Sequence, residues 1–447
     1  METATYSERN LKGHTSESFQ RPVAVPSRDL LRSAADALRG KQRIAILAGA
    51  GARGCRAELE ELADKLAAPI VKAQLGKDCV PDDSPYTTGG VALVGTMPSQ
   101  EALAGCDALL IVGSTMPYIE YYPKPGQAAT VQIDDKPYRI GLRTPVDVGL
   151  VGDARATLRA LLGELERNQD RSFLEQAQAG MREWRALMEE RGTAGHRPMQ
   201  PEVPTRALSR ALADDAIVCG DSGTVTTWVA RQLDVRRDQL FSFSGTNCSM
   251  AAALPYAIGA QTAYPGRQVV AYTGDGSLTM QLGDMATCVQ HGLPVKLVVI
   301  KNNTLGLIKW EQMVFLGNPE YGVDLAPVDF VKVAEGMGWK AVHIDDPGRC
   351  EEQMQGALAM EGPVLIECLV DEHVPPLPAK VKRKQAENMA KALKGGSPNR
   401  TRIGLTMGRE IVEELQFEAS PAGETAAGSV ARALGRVLPG RDEGEER

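Results

Sequence analysis

Residues 268–303 read QVVAYTGDGSLTMQLGDMATCVQHGLPVKLVVIKNN. Two apolar runs, 268–276 and 295–303, flank a stretch of helical character at 279–291. The pattern is that of a buried strand, a crossover helix and a second buried strand. Such a β-α-β unit is right-handed, and both of its strands end on the same edge of the sheet. Asp275 and Asn302 close the two runs, 27 positions apart. The spacing therefore predicts that their side chains meet at one edge.

The same rhythm extends outward in both directions. AIVCGD (216–221) and PVLIECLV (363–370) read as further buried strands, with helical stretches near 224–232, 249–262, 327–337 and 350–360. In the first half, a helix at about 28–39 precedes the strand RIAILA (43–48), a glycine turn and a helix from Arg56 to Leu66. Leu59, Leu62, Ala63 and Leu66 form one face of that helix. ALLIVG (108–113) and ATVQID (129–134) are the later β-rich runs. Alternating strands and helices predict an α/β chain with two doubly wound, mainly parallel sheets. A charged helical stretch at about 170–191 leads into RGTAGHRPMQPE, where the domain boundary is expected. The expected divisions are a polar leader, 1–27, a middle domain, 28–190, a second domain, 191–378, and a flexible tail, 379–447. The tail is expected because a basic run, Lys380 to Lys384, and GGSPNRTR read as linker.

Composition narrows the function. The 447 residues are 43 % hydrophobic and 24 % charged, values of an ordinary globular chain. Fifty basic against fifty-seven acidic residues give −7, which argues against a general nucleic-acid binder. No apolar run approaches the roughly 18 residues of a membrane-spanning helix. The polar first residues lack the apolar stretch of a secretory signal. Val430, Leu434, Val437 and Leu438 share a face, but Gly435 and Pro439 interrupt it, so a marginal helix is expected there rather than a membrane anchor. Eight scattered cysteines form no CxxC pair, as in a reducing, cytoplasmic setting. Among five histidines none is placed for a Ser-His-Asp relay.

Gly274-Asp275-Gly276-Ser277 alone is a tight turn. With the asparagine pair at the tip of the next strand it becomes a site. Oxygen ligands suit a hard ion such as Mg²⁺, which normally keeps phosphate oxygens among its ligands. Gly274 and Gly276 allow close backbone approach, and the following helix turns N–H groups toward an anion. The combination describes a magnesium-bound diphosphate.

GDGS followed by NN resembles the thiamine diphosphate signature. From about Arg21 to Pro378 the chain resembles the pyruvate oxidase and quinone-dependent pyruvate dehydrogenase family. The resemblance implies metal ligation by Asp275, Asn302 and the carbonyl of Thr304. It implies that Asp221 and Gly223 of GDSGT line the diphosphate, together with Gly274, Gly276 and Ser277. Met250 matches the bulky residue that bends the cofactor, and the Cys248 carbonyl falls where the family binds the 4′-amino group, a place usually held by glycine. Leu307 and Ile308 would line the thiazolium pocket. Glu311 is either a solvated helix charge or a carboxylate facing the substrate. The cofactor carries the chemistry on a 2-oxo acid; the protein supplies conformation and electrostatics.

A second glycine loop, Gly49-Ala50-Gly51-Ala52-Arg53-Gly54, follows a strand and opens a helix, which fits GxGxxG. The next apolar run, APIVKA (68–73), carries no acidic residue at its tip to hold a ribose, which argues against NAD. The resemblance implies FAD instead, held by Gly49, Gly51 and Arg53, then Gly95-Thr96, Gly113 to Pro117, Asp134 in QIDDKP and Asp153 in VGDA. The alternative is a purely structural turn.

The resembled family also has an N-terminal pyrimidine-binding domain with an activating glutamate. None of Glu2, Glu8 or Glu17 sits in that motif. Three explanations are open: a separate subunit supplying the domain in trans, a truncated product, or an incomplete sequence. The expected function is decarboxylation of pyruvate or a similar 2-oxo acid, oxidative through FAD, in a homo-oligomer or with a pyrimidine-domain subunit. Carboligation as in acetolactate synthases, or a non-catalytic cofactor-binding role, are the alternatives.

Overall fold

The computed structural model describes residues 23–377, 383–396 and 402–403. Two six-stranded parallel sheets, each wrapped by helices, make the α/β architecture that the strand–helix rhythm predicts. The first runs β3(Thr87–Gly90), β2(Ile70–Lys72), β1(Ile44–Ala48), β4(Ala108–Val112), β5(Ala129–Asp134), β6(Val148–Val151). The second runs β11(Lys340–Ile344), β12(Val364–Leu369), β10(Lys296–Lys301), β9(Val269–Gly274), β7(Ile217–Gly220), β8(Leu240–Phe243). The helix Ser172–Gly192 lies between them in the chain. Among the described residues no helix is long and apolar enough to cross a membrane. The apolar stripe at 430–438 lies outside the described residues.

The central strands are buried on both faces. In β10, Val298 and Ile300 join the core on one side and Leu297 and Val299 the core on the other. Each such side chain contributes about 1.5–3 kcal/mol. The helix Arg56–Leu66 buries Leu59, Leu62, Ala63 and Leu66 as its periodicity predicts, and ends at Ala67 in the left-handed region.

Chain order reverses between β1 and β4 in one sheet and between β7 and β9 in the other. Ligands of open α/β sheets bind outside the carboxyl ends of strands at such switch points. Both glycine loops singled out from sequence lie there.

Three expectations need correction. The predicted helix at 279–291 is two helices, Asp275–Thr279 and Asp284–Gln290, broken around Gly283. The predicted helix at 249–262 begins only at Ala253, because Cys248 and Ala251 take left-handed backbone angles. The expected tail contains a helix, Arg383–Lys394, whose Met389, Ala392 and Leu393 are buried against Trp310, Met313 and Val314. Its charge masks a narrow apolar stripe that only a tertiary partner makes stable.

The two sheets are joined by a buried ionic knot. Lys72, fully buried at the tip of β2, donates to Asp82 Oδ1 at 2.6 Å and to the carbonyls of Lys77 and Val80. Lys77 reaches Asp82 Oδ2 at 3.1 Å and the Ala230 carbonyl, while the Val235 amide donates to Asp82 Oδ2 at 2.8 Å. Burial opposes ionisation of Asp82, but Lys72 and Lys77 outweigh it and hold the carboxyl at about 2.

Candidate diphosphate and metal site

Loops after β7, β9 and β10 converge at the carboxyl edge of the second sheet. β9 and β10 are parallel neighbours, with Gly274 paired to Ile300. This register brings the loop after one strand against the loop after the other. Asp275 Oδ2 accepts from the amides of Asn302 at 3.0 Å and Asn303 at 2.6 Å, and Oδ1 accepts from Gly276 N at 2.8 Å. The Thr304 amide donates to Asn302 Oδ1 at 3.2 Å. Asn303 adopts φ +55°, a left-handed turn that folds the chain back over Asp275. Thr304 is buried and tied by its hydroxyl to the Val323 carbonyl.

Asp275 is buried, and burial raises its carboxyl above the ordinary range although the amides of Asn303, Gly276 and Asn302 favour the charged form. A cation would relieve that cost. Among the described residues no cluster of three His, Cys, Asp or Glu forms a metal site. The candidate set is thus carboxylate, carboxamide and carbonyl oxygen, a hard donor set that fits Mg²⁺.

The loop after β7 closes on the same point. Asp221 is buried, accepts from Thr273 Oγ1 at 2.7 Å and from Ser222 N at 2.8 Å, and is likewise raised by burial. It stitches the β7 tip to the β9 tip. Gly223 adopts φ +132°, which a side chain disfavours, and leads into the helix Thr224–Gln232. Ser222 Oγ is buried with no partner among the described residues, as a donor facing an anion would be. A Cβ on Gly306 would lie 3.0 Å from Thr224 Cγ2 and 3.3 Å from Asn302 Nδ2, so the segments after β7 and β10 touch. Met250 Cε is 3.8 Å from where a Cβ on Gly276 would stand. Ser277 is buried in the short helix after Gly274. Met250, Leu307 and Ile308 are each over a third exposed, an apolar wall beside the polar loops. Cys248 and Glu311 are exposed, and both lie within electrostatic reach of Tyr118 on the other sheet's β4 loop. Sequence reasoning missed Thr273, Thr224 and Tyr118, since neither a hydroxyl inside an apolar run nor a loop tyrosine marks a site by itself.

The first sheet's switch point is built differently. Gly49, Gly51 and Gly113 come together backbone to backbone: a Cβ on Gly51 would stand 2.8 Å from Gly113 Cα. The amides of Gly49 and Gly51 already donate to Val112 and Gly113 carbonyls at 2.9 and 3.0 Å. Arg53 pairs with Asp78 at 2.7 Å and reaches the Phe241 carbonyl in β8 at 2.8 Å. Thr96 and Asp153 cap helices, and Asp134 accepts from Lys136 N at 3.0 Å. Gln74 Nε2 and Ser114 Oγ, buried polar atoms at this edge, have no partner among the described residues. The edge therefore fits a polar ligand at Gln74 and Ser114, not at the glycine amides.

Residues 31–161 match the thiamine pyrophosphate enzyme central domain, and residues 221–368 the thiamine pyrophosphate enzyme C-terminal TPP binding domain. A Bacillus subtilis protein, YdaP, whose name describes it as thiamine pyrophosphate-containing, is 36 % identical over 378 residues, covering 85 % of this chain and 65 % of that protein. A pyruvate oxidase of Lactiplantibacillus plantarum is 30 % identical over 370 residues, 82 % of this chain and 61 % of the oxidase. The acetolactate synthase isozyme 3 large subunit of Escherichia coli is 26 % identical over 373 residues, 80 % of this chain and 64 % of that subunit. The chain thus spans less than two thirds of the length of each of these relatives. With the central and TPP-binding domains matched in order, on two doubly wound sheets, the chain belongs to the thiamine pyrophosphate enzyme superfamily.

Proposed function

We propose that this chain is the cofactor-holding part of an enzyme that decarboxylates pyruvate or a similar 2-oxo acid and passes the electrons to FAD. The observation that carries the reading is the bonding of the Asn302 amide to buried Asp275 and of the Thr304 amide to Asn302 Oδ1, with the Ser222 hydroxyl on the neighbouring loop unpartnered among the described residues. Asp275, Asn302 and the Thr304 carbonyl hold Mg²⁺; Asp221 orders the loop in which Ser222 and Gly223 face the diphosphate. When bound, thiamine diphosphate supplies a nucleophilic carbon and an electron sink for decarboxylation. Met250, Leu307 and Ile308 line the reacting end and keep water from it. Glu311 faces the substrate from the start of the next helical turn.

FAD, if held at the first sheet's edge by Gln74 and Ser114, supplies a two-electron oxidant. The pyruvate oxidase relative supports the oxidative outcome, and the acetolactate synthase relatives support carboligation as the alternative. Residues 28–190 form the flavin-side unit in this reading and 191–378 the diphosphate-side unit. The activating glutamate comes from a pyrimidine-binding domain. The exposed apolar side chains Met250, Leu307, Ile308, Phe315 and Leu316 support a further wall over the cleft.

The test is CO₂ release from pyruvate with Mg²⁺ and thiamine diphosphate, with and without a separately expressed pyrimidine-binding domain. The reading expects turnover that needs both polypeptides and falls in Asp275→Ala. Pyruvate left untouched by the two together contradicts it.

A further inference from the structure

Glu311–Leu316 is a turn of π-helix. Such turns are rare overall and frequent at functional sites. This one continues the helix Gly306–Trp310, which carries Leu307 and Ile308, and begins with Glu311. It ends at Gly317, in the left-handed region at φ +70°.

The last carbonyls of a helix have no donor within it. Here two of them take a donor from one side chain. Asn388 Nδ2, on the helix Arg383–Lys394, donates to the Val314 carbonyl at 3.2 Å and to the Phe315 carbonyl at 2.8 Å. Gly317 makes room for that approach: a Cβ there would lie 3.2 Å from the Asn388 carbonyl oxygen and 3.3 Å from its Oδ1. The apolar stripe of Met389, Ala392 and Leu393 fixes the helix against Trp310 and Met313. The packing brings the carboxamide to the end of the π turn.

We infer that Asn388 is a positioning residue whose carboxamide caps the π turn and so sets the pitch at which Ile308 and Glu311 face the site. What the turn presents rests on the proposed function; the cap itself does not. An ionised aspartate has the same shape but only accepts, so at position 388 it sets an oxygen against two carbonyl oxygens. Packing alone would tolerate that exchange.

The test is hydrogen–deuterium exchange of the full chain, wild type beside Asn388→Asp and Asn388→Ala. Both variants are expected to speed exchange of amides 312–318 about tenfold, the loss of one to two hydrogen bonds, with the rest of the chain unchanged. Unaltered exchange in Asn388→Asp overturns the inference. So does acceleration spread evenly over both sheets. Thiamine diphosphate titration of the same samples separates the two readings. A wild-type chain that binds no cofactor removes the proposed function and leaves the exchange result standing.

Discussion

Asp275 and Asn302 are 27 positions apart in the chain and one hydrogen bond apart in space, Asn302 N to Asp275 Oδ2 at 3.0 Å. Parallel pairing of β9 with β10 enforces the meeting, because both strands deliver their final residues to the same edge. The Asn303 amide shortens the grip further, at 2.6 Å. Three backbone amides thus hold one buried carboxylate at the strand tips.

Gly51→Ala tests whether the first glycine loop is a packing device. The added Cβ would stand 2.8 Å from Gly113 Cα, a backbone atom that no rotamer change relieves. Denaturant unfolding should show a loss of about 1–3 kcal/mol. An unchanged midpoint would mean that the loops separate freely.

Asp82→Ala should be costlier. It leaves Lys72 and Lys77 buried without their carboxylate, a defect of about 3–5 kcal/mol. The same carboxylate gives an acid signature. Its folded pKa, about 2, lies below the ordinary 3.8, so its contribution is complete above about pH 4 and is lost as the pH falls toward 2. Acid unfolding of wild type and variant should converge in that window; parallel curves would contradict the ionic knot.

His373 predicts a second pH dependence of the same sign. Lys309 Nζ lies 3.3 Å from His373 Nδ1, and a lysine only donates, so the ring is neutral and accepts there. Burial first, and then the Lys309 charge, lower the histidine pKa; Glu372 and Asp371 oppose this, and Arg402 adds to it. The unfolded chain binds the proton more readily, so stability is complete above about pH 6.5 and declines below it. His373→Gln keeps an acceptor without the proton. Its stability profile should be flatter than wild type between about pH 6.5 and 5; identical slopes would contradict the pair.

The flavin reading has a visible test. Chain incubated with FAD and desalted should keep flavin absorbance, and Gln74→Ala with Ser114→Ala should lose most of it. A wild-type chain that stays colourless contradicts the reading.

Much of this was legible in the sequence where apolar runs are continuous. β1, β4, β5, β7, β9, β10 and β12 are read from such runs, and the Gly-Asp-Gly and Asn-Asn tips mark the ends of β9 and β10. Of the strands that escaped reading, β6 and β8 are apolar but only 4 residues long, and β3 and β11 lack that signal. β3 is Thr-Thr-Gly-Gly, and β11, at a sheet edge, leaves Lys340 and His343 exposed. The π turn at 311–316 has no period that a helical or strand template detects. Nothing in the sequence announces that Lys72 and Lys77 are buried against Asp82, 10 and 5 residues further on. Asn388 sits among charged residues, and nothing local announces that its partners are 74 and 73 positions earlier. In each case the missing information is tertiary.

The most direct measurement is calorimetric titration of the full chain with thiamine diphosphate, with and without Mg²⁺, for wild type and Asp275→Ala. The account predicts saturable binding that requires the metal, weakened about 100-fold or more in the variant. Equal affinity in the two proteins, or binding indifferent to Mg²⁺, would contradict it.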